Sequence, residues 1–183
     1  MTNTLQILAA YVPPAVARAA LHYRGTALPQ TPHVERFPAA ILFADISGFT
    51  PLTEALVQKG PEGVEEITHL LNRYFSRMIA IGEAEGGEVV QFSGDAVTVL
   101  FPAGPEGLGV ATRRAWQAAE AMQTAMGEFA ALETSIGPIA LGMKIGIGAG
   151  EVLTARVGGV HARWEYVVAG DPLRQAAQAE RQA

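Results

Sequence analysis

The sequence lacks cysteine entirely, so none of its 183 residues can form a disulfide or supply a thiolate to a metal. Disulfide-stapled secreted domains and thiolate zinc sites are therefore excluded. The amino terminus also lacks the basic segment that opens a secretory signal peptide. An acidic, cysteine-free chain without an export signal fits a cytoplasmic location, which is what we expect.

Positive charge is sparse. The chain has 13 lysines and arginines against 18 aspartates and glutamates, for a formal net charge of −5, and its basic residues form no cluster. Nucleic-acid-binding proteins present a basic face to the phosphate backbone, so we expect no nucleic-acid partner. Pro13-Pro14 and Arg18 interrupt the apolar run over residues 5–21, so no membrane partner is expected either.

The length suits one domain with its own hydrophobic core. Residues 1–37 are predicted to form a helical arm and a linker, because the apolar residues of segment 5–21 fall roughly on one stripe. The linker, residues 24–38, is rich in proline, threonine and histidine. Residues 38–183 form the predicted domain.

The most informative stretch is residues 41–52. An apolar, strand-like run ends there on one carboxylate, Asp45, and turns through Ser47-Gly48 into a helix start at Thr50-Pro51. A carboxylate at a strand's end can hold a divalent cation, and amides freed before a helix can hold phosphate oxygens. The structural alternative is that Asp45 caps a turn and Thr50 caps the helix, with Pro51 at its first position.

The following residues alternate between helix and strand patterns. A helix is predicted from Pro61-Glu62, where apolar residues follow an i, i+3, i+4 series, to a glycine stop at Gly86-Gly87. Residues 88–92 and 96–101 are predicted to be strands. They are joined through Ser93-Gly94-Asp95 in a tight hairpin, with glycine supplying the positive φ.

A second helix is predicted over residues 107–132, followed by a strand with one bare face. The residues predicted to be buried on the helix are Trp116, Ala119, Met122, Met126 and Phe129. In the strand, the bulky residues Leu141, Met143, Ile145 and Ile147 alternate with Gly142, Lys144, Gly146 and Gly148, so one face is nearly bare. Another element must approach this bare face closely. Strands over 151–157 and 164–169, and a final helix after Gly170, complete the pattern.

This order predicts an α+β domain with ferredoxin-like βαββαβ topology and an added carboxy-terminal hairpin. In that topology the first and third strands are adjacent and antiparallel. Asp45, which ends the first, should therefore meet Asp95, which begins the third. Two such carboxylates repel unless cations lie between them, and two bridging metals suit an in-line displacement at phosphorus. Alone, Asp95 is equally well explained as an ordinary hairpin-turn residue.

These residues carry a resemblance to a known family. The run from Phe43 to Thr50, read with Phe92-Ser93-Gly94-Asp95, resembles the signature pair of class III adenylate and guanylate cyclases, and the similarity extends over roughly residues 38–180. It implies the cyclase fold, an antiparallel sheet flanked by helices. The implied reaction is attack of a ribose 3′-hydroxyl on the α-phosphate of ATP or GTP, giving a 3′,5′-cyclic nucleotide and pyrophosphate.

The resemblance also implies roles for individual residues. Asp45 and Asp95 would be the catalytic carboxylates and bind two Mg²⁺ or Mn²⁺ ions, with the backbone carbonyl of Ile46 as a further ligand. The implied phosphate-binding residues are Ser47, Gly48, Phe49 and Thr50.

Four positions depart from the family pattern. Gln91 and Val167 stand where the family selects the purine base. Arg174 and Gln178 stand where it has the Asn and Arg that orient ribose and stabilise the transition state. The chain thus resembles the metal-bearing first domain of two-domain cyclases, including soluble adenylyl cyclases and large bacterial cyclase–ATPase regulators. The expected partner is a second cyclase domain, in a homodimer or a pseudo-heterodimer within a longer chain, and the isolated domain is expected to be weakly active or inactive.

Other interpretations stay open. One is a catalytically inactive regulatory or dimerisation module that senses nucleotide. Another is a phosphatase with Asp45 as nucleophile, although that chemistry calls for a second Asp where Ser47 stands. Cyclase domains also continue past the final helix into further strands, so we expect a fragment whose last strands are missing.

Overall fold

The computed structural model describes residues 33–158 and 164–183. The predicted amino-terminal arm, within residues 1–32, and the turn of the last hairpin, residues 159–163, lie outside the described residues. The strands in the described parts are β1 (His33–Ser47), β2 (Glu88–Ser93), β3 (Ala96–Pro102), β4 (Leu132–Thr134), β5 (Gly137–Ile139), β6 (Gly142–Gly158) and β7 (Trp164–Ala169). The α-helices are α1 (Phe49–Val57), α2 (Pro61–Ala84), α3 (Leu108–Ala125) and α4 (Asp171–Glu180). None of these helices has the length and apolar content needed to cross a bilayer.

Five strands form one antiparallel sheet in the order β2-β3-β1-β6-β7. Strand β1 lies at its centre, paired with β3 on one side and β6 on the other. With α1 and α2 between β1 and β2, and α3 between β3 and β6, this is the predicted ferredoxin-like topology with an added hairpin. Strands β4 and β5 form a separate small hairpin that the sequence did not predict.

Strand β1 starts earlier than predicted. Residues 33–38, assigned above to the linker, belong to the sheet, because His33 pairs with Arg156 and Pro38 with Glu151 of β6. The pairing of β1 with β3 starts only at Ala39, so among the strands that the structure describes the first part of β1 pairs with β6 alone. A strand paired on one side tolerates proline. The proline content that suggested a linker is therefore compatible with a strand.

Helices α1, α2 and α3 cover one face of the sheet, and the main hydrophobic core lies between them and the strands. Helix α2 follows the predicted bounds, starting at Pro61 and ending before Gly86, whose φ is 76°. Its buried side chains confirm the predicted apolar stripe. Of the residues predicted on this stripe, Ile67, Tyr74 and Met78 are buried; Ile81, which was not predicted to be on it, is buried as well.

Helix α3 corrects two predictions. It ends at Ala125, and a 3-10 turn over Met126–Phe129 follows, so the helix does not extend to residue 132. Trp116 is 60% exposed and lines a groove between α3 and β6, although we predicted it to be buried. The small side chains of α3 face the core instead, and a tryptophan among them would hold the helix away from the sheet. The buried residues are Ala111, Ala115, Ala118, Met122 and Ala125.

Helix α4 packs on the opposite face of the sheet, against the glycines of β6. A Cβ atom added to Gly146 would lie 1.9 Å from the carbonyl oxygen of Ala176, and one added to Gly148 would lie 2.1 Å from that of Pro172. The prediction that an element approaches the bare face is confirmed, and that element is the backbone of α4. Only glycine permits this distance.

The packing of α4 can be tested at Gly146. Gly146→Ala is expected to destabilise the fold, because the new methyl group must displace the α4 backbone. Such overpacking costs about 1–3 kcal/mol, and each kcal/mol lowers the thermal midpoint by roughly 2–4 °C in a domain of this size. Gly142→Ala is the matched control on the same strand face, since its Cβ would meet only the Cβ of Ser47, at 3.6 Å. Equal midpoints for the two variants in thermal denaturation would contradict this packing.

Candidate metal and phosphate site

The sheet brings Asp45 and Asp95 to one edge. Asp45 follows Ala44, which pairs with Val97 of β3, and Asp95 lies in the two-residue turn between β2 and β3. Gly94 precedes Asp95 with a φ of 65°, as the hairpin prediction required. The Asp45 and Asp95 side chains are close enough to share a hydrogen bond. The meeting of the two acids, expected from the topology, is present.

The surroundings of Asp45 raise the pKa of its carboxyl group above the ordinary value. Burial contributes most, the charge of Asp95 comes next, and the charge of Glu180 is third. The backbone hydrogen bond from Ile46 acts in the opposite direction. Lys144 pairs with Asp45 across β1 and β6, but its charge is not among these causes. The carboxylate therefore lies in an environment that disfavours its negative charge.

The turn after β1 exposes the start of a helix. Helix α1 begins at Phe49, one residue earlier than predicted, and its N-cap is Gly48 with a φ of 89°. No side chain caps the helix, so the alternative in which Thr50 is the cap is wrong. Thr50 is the second helical residue and is exposed. First-turn amides have no acceptor within the helix, so those of Phe49 and Thr50 can bind an anion, whereas Pro51 has no N–H to offer.

The remaining predicted residues of this stretch lie between the acid and the helix. Ile46 is 5% exposed, and its backbone contacts the Asp45 carboxyl group. Ser47 is the half-buried last residue of β1. A carboxylate, a backbone segment and free amides therefore follow one another within six residues, 45–50.

The four positions that depart from the family pattern lie on three elements. Gln91 is exposed on β2, and Val167 is 39% exposed on β7. On α4, Gln178 is exposed, while Arg174 donates from Nε and Nη2 to Oδ1 of Asp171 at 3.3 and 3.0 Å. The guanidinium of Arg174 is thus held by an acid in the first turn of its own helix.

Two residues near the acids were not predicted as part of the site. Glu180 could not be predicted from the sequence, because the glycines of β6 indicate that another element packs closely but not which side chains that element carries. Tyr74 lies on the apolar stripe predicted for α2, and nothing in the sequence distinguishes it from its apolar neighbours. Burial, followed by the charges of Asp45 and Asp95, raises the pKa of the Tyr74 hydroxyl.

The donor chemistry fits a divalent cation shared by the two acids. Mg²⁺ and Mn²⁺ prefer carboxylate and carbonyl oxygens, and a cation between Asp45 and Asp95 would offset the repulsion between them. Within residues 33–158 and 164–183, no group of three or more His, Cys, Asp or Glu side chains is arranged to hold a metal. A cation here would take its other ligands from the Ile46 carbonyl, water or phosphate oxygens.

Comparison with known proteins identifies the family to which the chain belongs. Residues 33–183 match the family model of the adenylate and guanylate cyclase catalytic domain. The chain belongs to this family. The fold is therefore that of a cyclase catalytic domain.

Both adenylyl and guanylyl cyclases are among the proteins similar to this cyclase domain. Adenylate cyclase type 10 of Oryctolagus cuniculus is 34% identical over 94 residues, which is 48% of this chain and 6% of that protein. The crystal structure of the adenylyl cyclase CyaB from P. aeruginosa has 27% identity and a TM-score of 0.66, covering 82% of this chain and 74% of that one. The crystal structure of the guanylyl cyclase Cya2 has 32% identity and a TM-score of 0.66, covering 81% of this chain and 71% of that one. The chain thus spans only a small fraction of the rabbit protein.

The pKa of Asp45 predicts a pH-dependent stability. Because its folded-state pKa lies above 3.8, the ionised carboxylate opposes folding at neutral pH, and protonation removes that effect as the pH falls through the raised pKa. Without divalent metal, Asp45→Asn should unfold at a higher temperature than the wild type at pH 7. The difference should shrink as the pH is lowered.

Thermal denaturation across a pH series measures this effect. The matched control is Glu133→Gln, a change of an exposed acid on β4. If the difference in thermal midpoint between Asp45→Asn and the wild type stays constant with pH, the surroundings of Asp45 do not disfavour its negative charge and the prediction is wrong.

Proposed function

We propose that this cyclase domain holds a metal–nucleotide complex and converts ATP or GTP into a 3′,5′-cyclic nucleotide and pyrophosphate once a second cyclase domain completes the site. The observation that carries the proposal is the placement of Asp45 beside Asp95, next to the uncapped start of α1. Oxygen ligands for cations and free amides for phosphate occur together there, as a metal–polyphosphate substrate requires.

Each part of the site has a role in this proposal. Asp45 and Asp95 bind two Mg²⁺ or Mn²⁺ ions, together with the carbonyl of Ile46. The ions would lower the pKa of the attacking ribose hydroxyl and offset the charge of the departing polyphosphate. The phosphate oxygens are bound by the segment that opens α1, which comprises Ser47, Gly48, Phe49 and Thr50.

The residues that would complete the reaction come from a partner in this proposal. Gln91 carries no positive charge, and Val167 has no hydrogen-bonding group for a purine edge. Gln178 stands where a transition-state arginine would be, and Arg174 is already bound to Asp171. Loss of one donor to a developing oxyanion costs about a hundredfold or more in rate. The proposal therefore gives the isolated domain little or no turnover.

The partner is a second cyclase domain, either another copy of this chain or a complementary domain. In a homodimer both copies would have the same substitutions, so a pseudo-heterodimer suits the substitutions better. Because both base-selecting positions are substituted, the base would be chosen by the partner, and ATP and GTP are both retained as substrates.

A second candidate function rests on the same four substitutions. The domain could bind metal–nucleotide without turnover and act as a regulatory or dimerisation module. The substitution pattern favours this alternative over the phosphatase interpretation of Asp45, which has no support from the family.

Cyclic-nucleotide formation distinguishes these proposals. The domain is incubated with Mn²⁺ and either ATP or GTP, alone and mixed with a cyclase domain that carries the Lys, Asn and Arg. We expect little product alone and at least a roughly hundredfold increase in the mixture, above the activity of the partner by itself. Asp45→Ala should abolish the increase, whereas Glu133→Gln should not.

The outcomes separate the two candidates. An increase that survives Asp45→Ala would refute the metal role of this carboxylate. Asp45-dependent nucleotide binding without product in any mixture would favour the regulatory module.

A further inference from the structure

The β4–β5 hairpin lies apart from the main sheet, and two charged side chains hold its tip. Among the described strands, β4 and β5 pair only with each other, and a lone two-stranded hairpin is at best marginally stable in water. The N–H of Ser135, in the turn, donates to Oε1 of Glu66 of α2 at 3.0 Å. Nζ of Lys59, between α1 and α2, donates to the carbonyl oxygen of Ser135. Both backbone groups of one turn residue are therefore bound by side chains of opposite charge.

The pKa of Glu66 agrees with a close contact to the hairpin. Hydrogen bonds from the hydroxyl and then from the backbone N–H of Ser135 lower this pKa most, desolvation opposes them, and the charge of Lys59 lowers it further. Hydrogen bonds and an opposite charge both favour the ionised carboxylate. The carboxylate is therefore charged at neutral pH and can hold the hairpin tip.

The base of the same hairpin lies against the turn that opens α1. A Cβ atom added to Gly48, the N-cap of α1, would lie 3.5 Å from the carbonyl oxygen of Ala140 and 3.8 Å from Cδ2 of Leu141. Leu141 is 5% exposed and belongs to the main core, and its N–H donates to the carbonyl oxygen of Phe129 at 3.0 Å. The residues that end the hairpin are thus fixed directly beside Gly48.

The other end of α1 is joined tightly to α2. A Cβ atom added to Gly63 of α2 would lie 1.9 Å from the carbonyl oxygen of Leu56 of α1, so the two helices are in backbone contact there. Lys59 and Glu66, which hold the hairpin tip, flank this junction in the sequence. The hairpin therefore touches the start of α1 with its base and the α1–α2 junction with its tip.

We propose that Lys59 and Glu66 are positioning residues for the phosphate-binding start of α1, acting through Ser135 and the β4–β5 hairpin. Their bonds fix the hairpin tip to the α1–α2 junction, and the hairpin base lies against Gly48, which precedes the free amides of α1. Losing either bond lets α1 shift relative to β1, so the amides and the carboxylates no longer face one substrate together. The inference rests on the proposed function, because it requires that these amides bind the phosphates of a metal–nucleotide complex.

Glu66→Ala tests this role, because it removes the acceptor of the Ser135 N–H. The dissociation constant of Mn²⁺ alone is measured by electron paramagnetic resonance, and that of a non-reactive ATP analogue in excess Mn²⁺ by titration calorimetry. Changes in packed networks that do not contact a ligand alter its binding by about two- to thirtyfold. We expect the dissociation constant of the analogue to rise within this range. That of Mn²⁺ alone should stay the same, because Asp45 and Asp95 lie on β1 and the β2–β3 turn.

Three further variants control this experiment. Lys59→Ala removes the other bond to Ser135, should act in the same direction, and decides the question if Glu66→Ala does not fold. Glu66→Gln retains an acceptor and should restore most of the affinity. Glu65→Ala is the matched control, since Glu65 is an exposed acid of the same helix whose ion pair, at 3.8 Å, is with His69. It should bind the analogue as the wild type does.

The outcomes separate this inference from the proposed function. If the wild type binds the analogue and Glu66→Ala binds it equally well, the inference alone is refuted. A parallel loss of affinity for Mn²⁺ alone would also refute it, because a general loosening of the fold would explain both losses. If the wild type does not bind the analogue in Mn²⁺, the proposed function is refuted, and the inference is refuted with it.

Discussion

The register of β1 between β3 and β6 is the constraint on which the site depends. Strand β1 is paired on both sides over its buried part, so its residues cannot shift without breaking two ladders. Side chains alternate between the faces of a sheet, and a slip of one residue would turn Asp45 to the opposite face. The two ladders thus keep the Asp45 side chain close to Asp95 and Glu180, although burial and the charge of Asp95 both disfavour the ionised carboxylate.

The elements around this strand concentrate negative charge at one place. The turn between β2 and β3 supplies Asp95, and α4 comes close enough over Gly146 for Glu180 to act on Asp45. The start of α1 provides the opposite polarity through its free amides. A fold selected only for stability would gain little from such an arrangement. A cation would offset the negative charge of the carboxylates, and a polyphosphate would accept hydrogen bonds from the free amides. Both features of the geometry therefore suit the proposed function.

Much of this could be predicted because the relevant signals are local or topological. The strand and helix order fixed the adjacency of the first and third strands, and hence the meeting of Asp45 and Asp95. The glycines of β6 predicted a close neighbour. Periodicity could not orient α3, because two sets of residues follow the same i, i+3, i+4 spacing. One is the set that faces the sheet, which is mostly alanine, and the other is the predicted stripe that begins at Trp116. Tyr74 and Glu180 escaped notice because their proximity to the acids arises only from tertiary packing, which sequence spacing does not encode.

The proposed function requires that Asp45 and Asp95 share a divalent cation. Anomalous diffraction from crystals grown with Mn²⁺ and a non-reactive nucleoside triphosphate analogue tests it most directly. We expect a Mn²⁺ peak within about 2.0–2.3 Å of oxygens from both carboxylates, the range typical of small divalent cations on oxygen ligands, with the phosphates at the start of α1. A nucleotide bound there with no Mn²⁺ on either carboxylate, or Mn²⁺ bound only elsewhere, would contradict it.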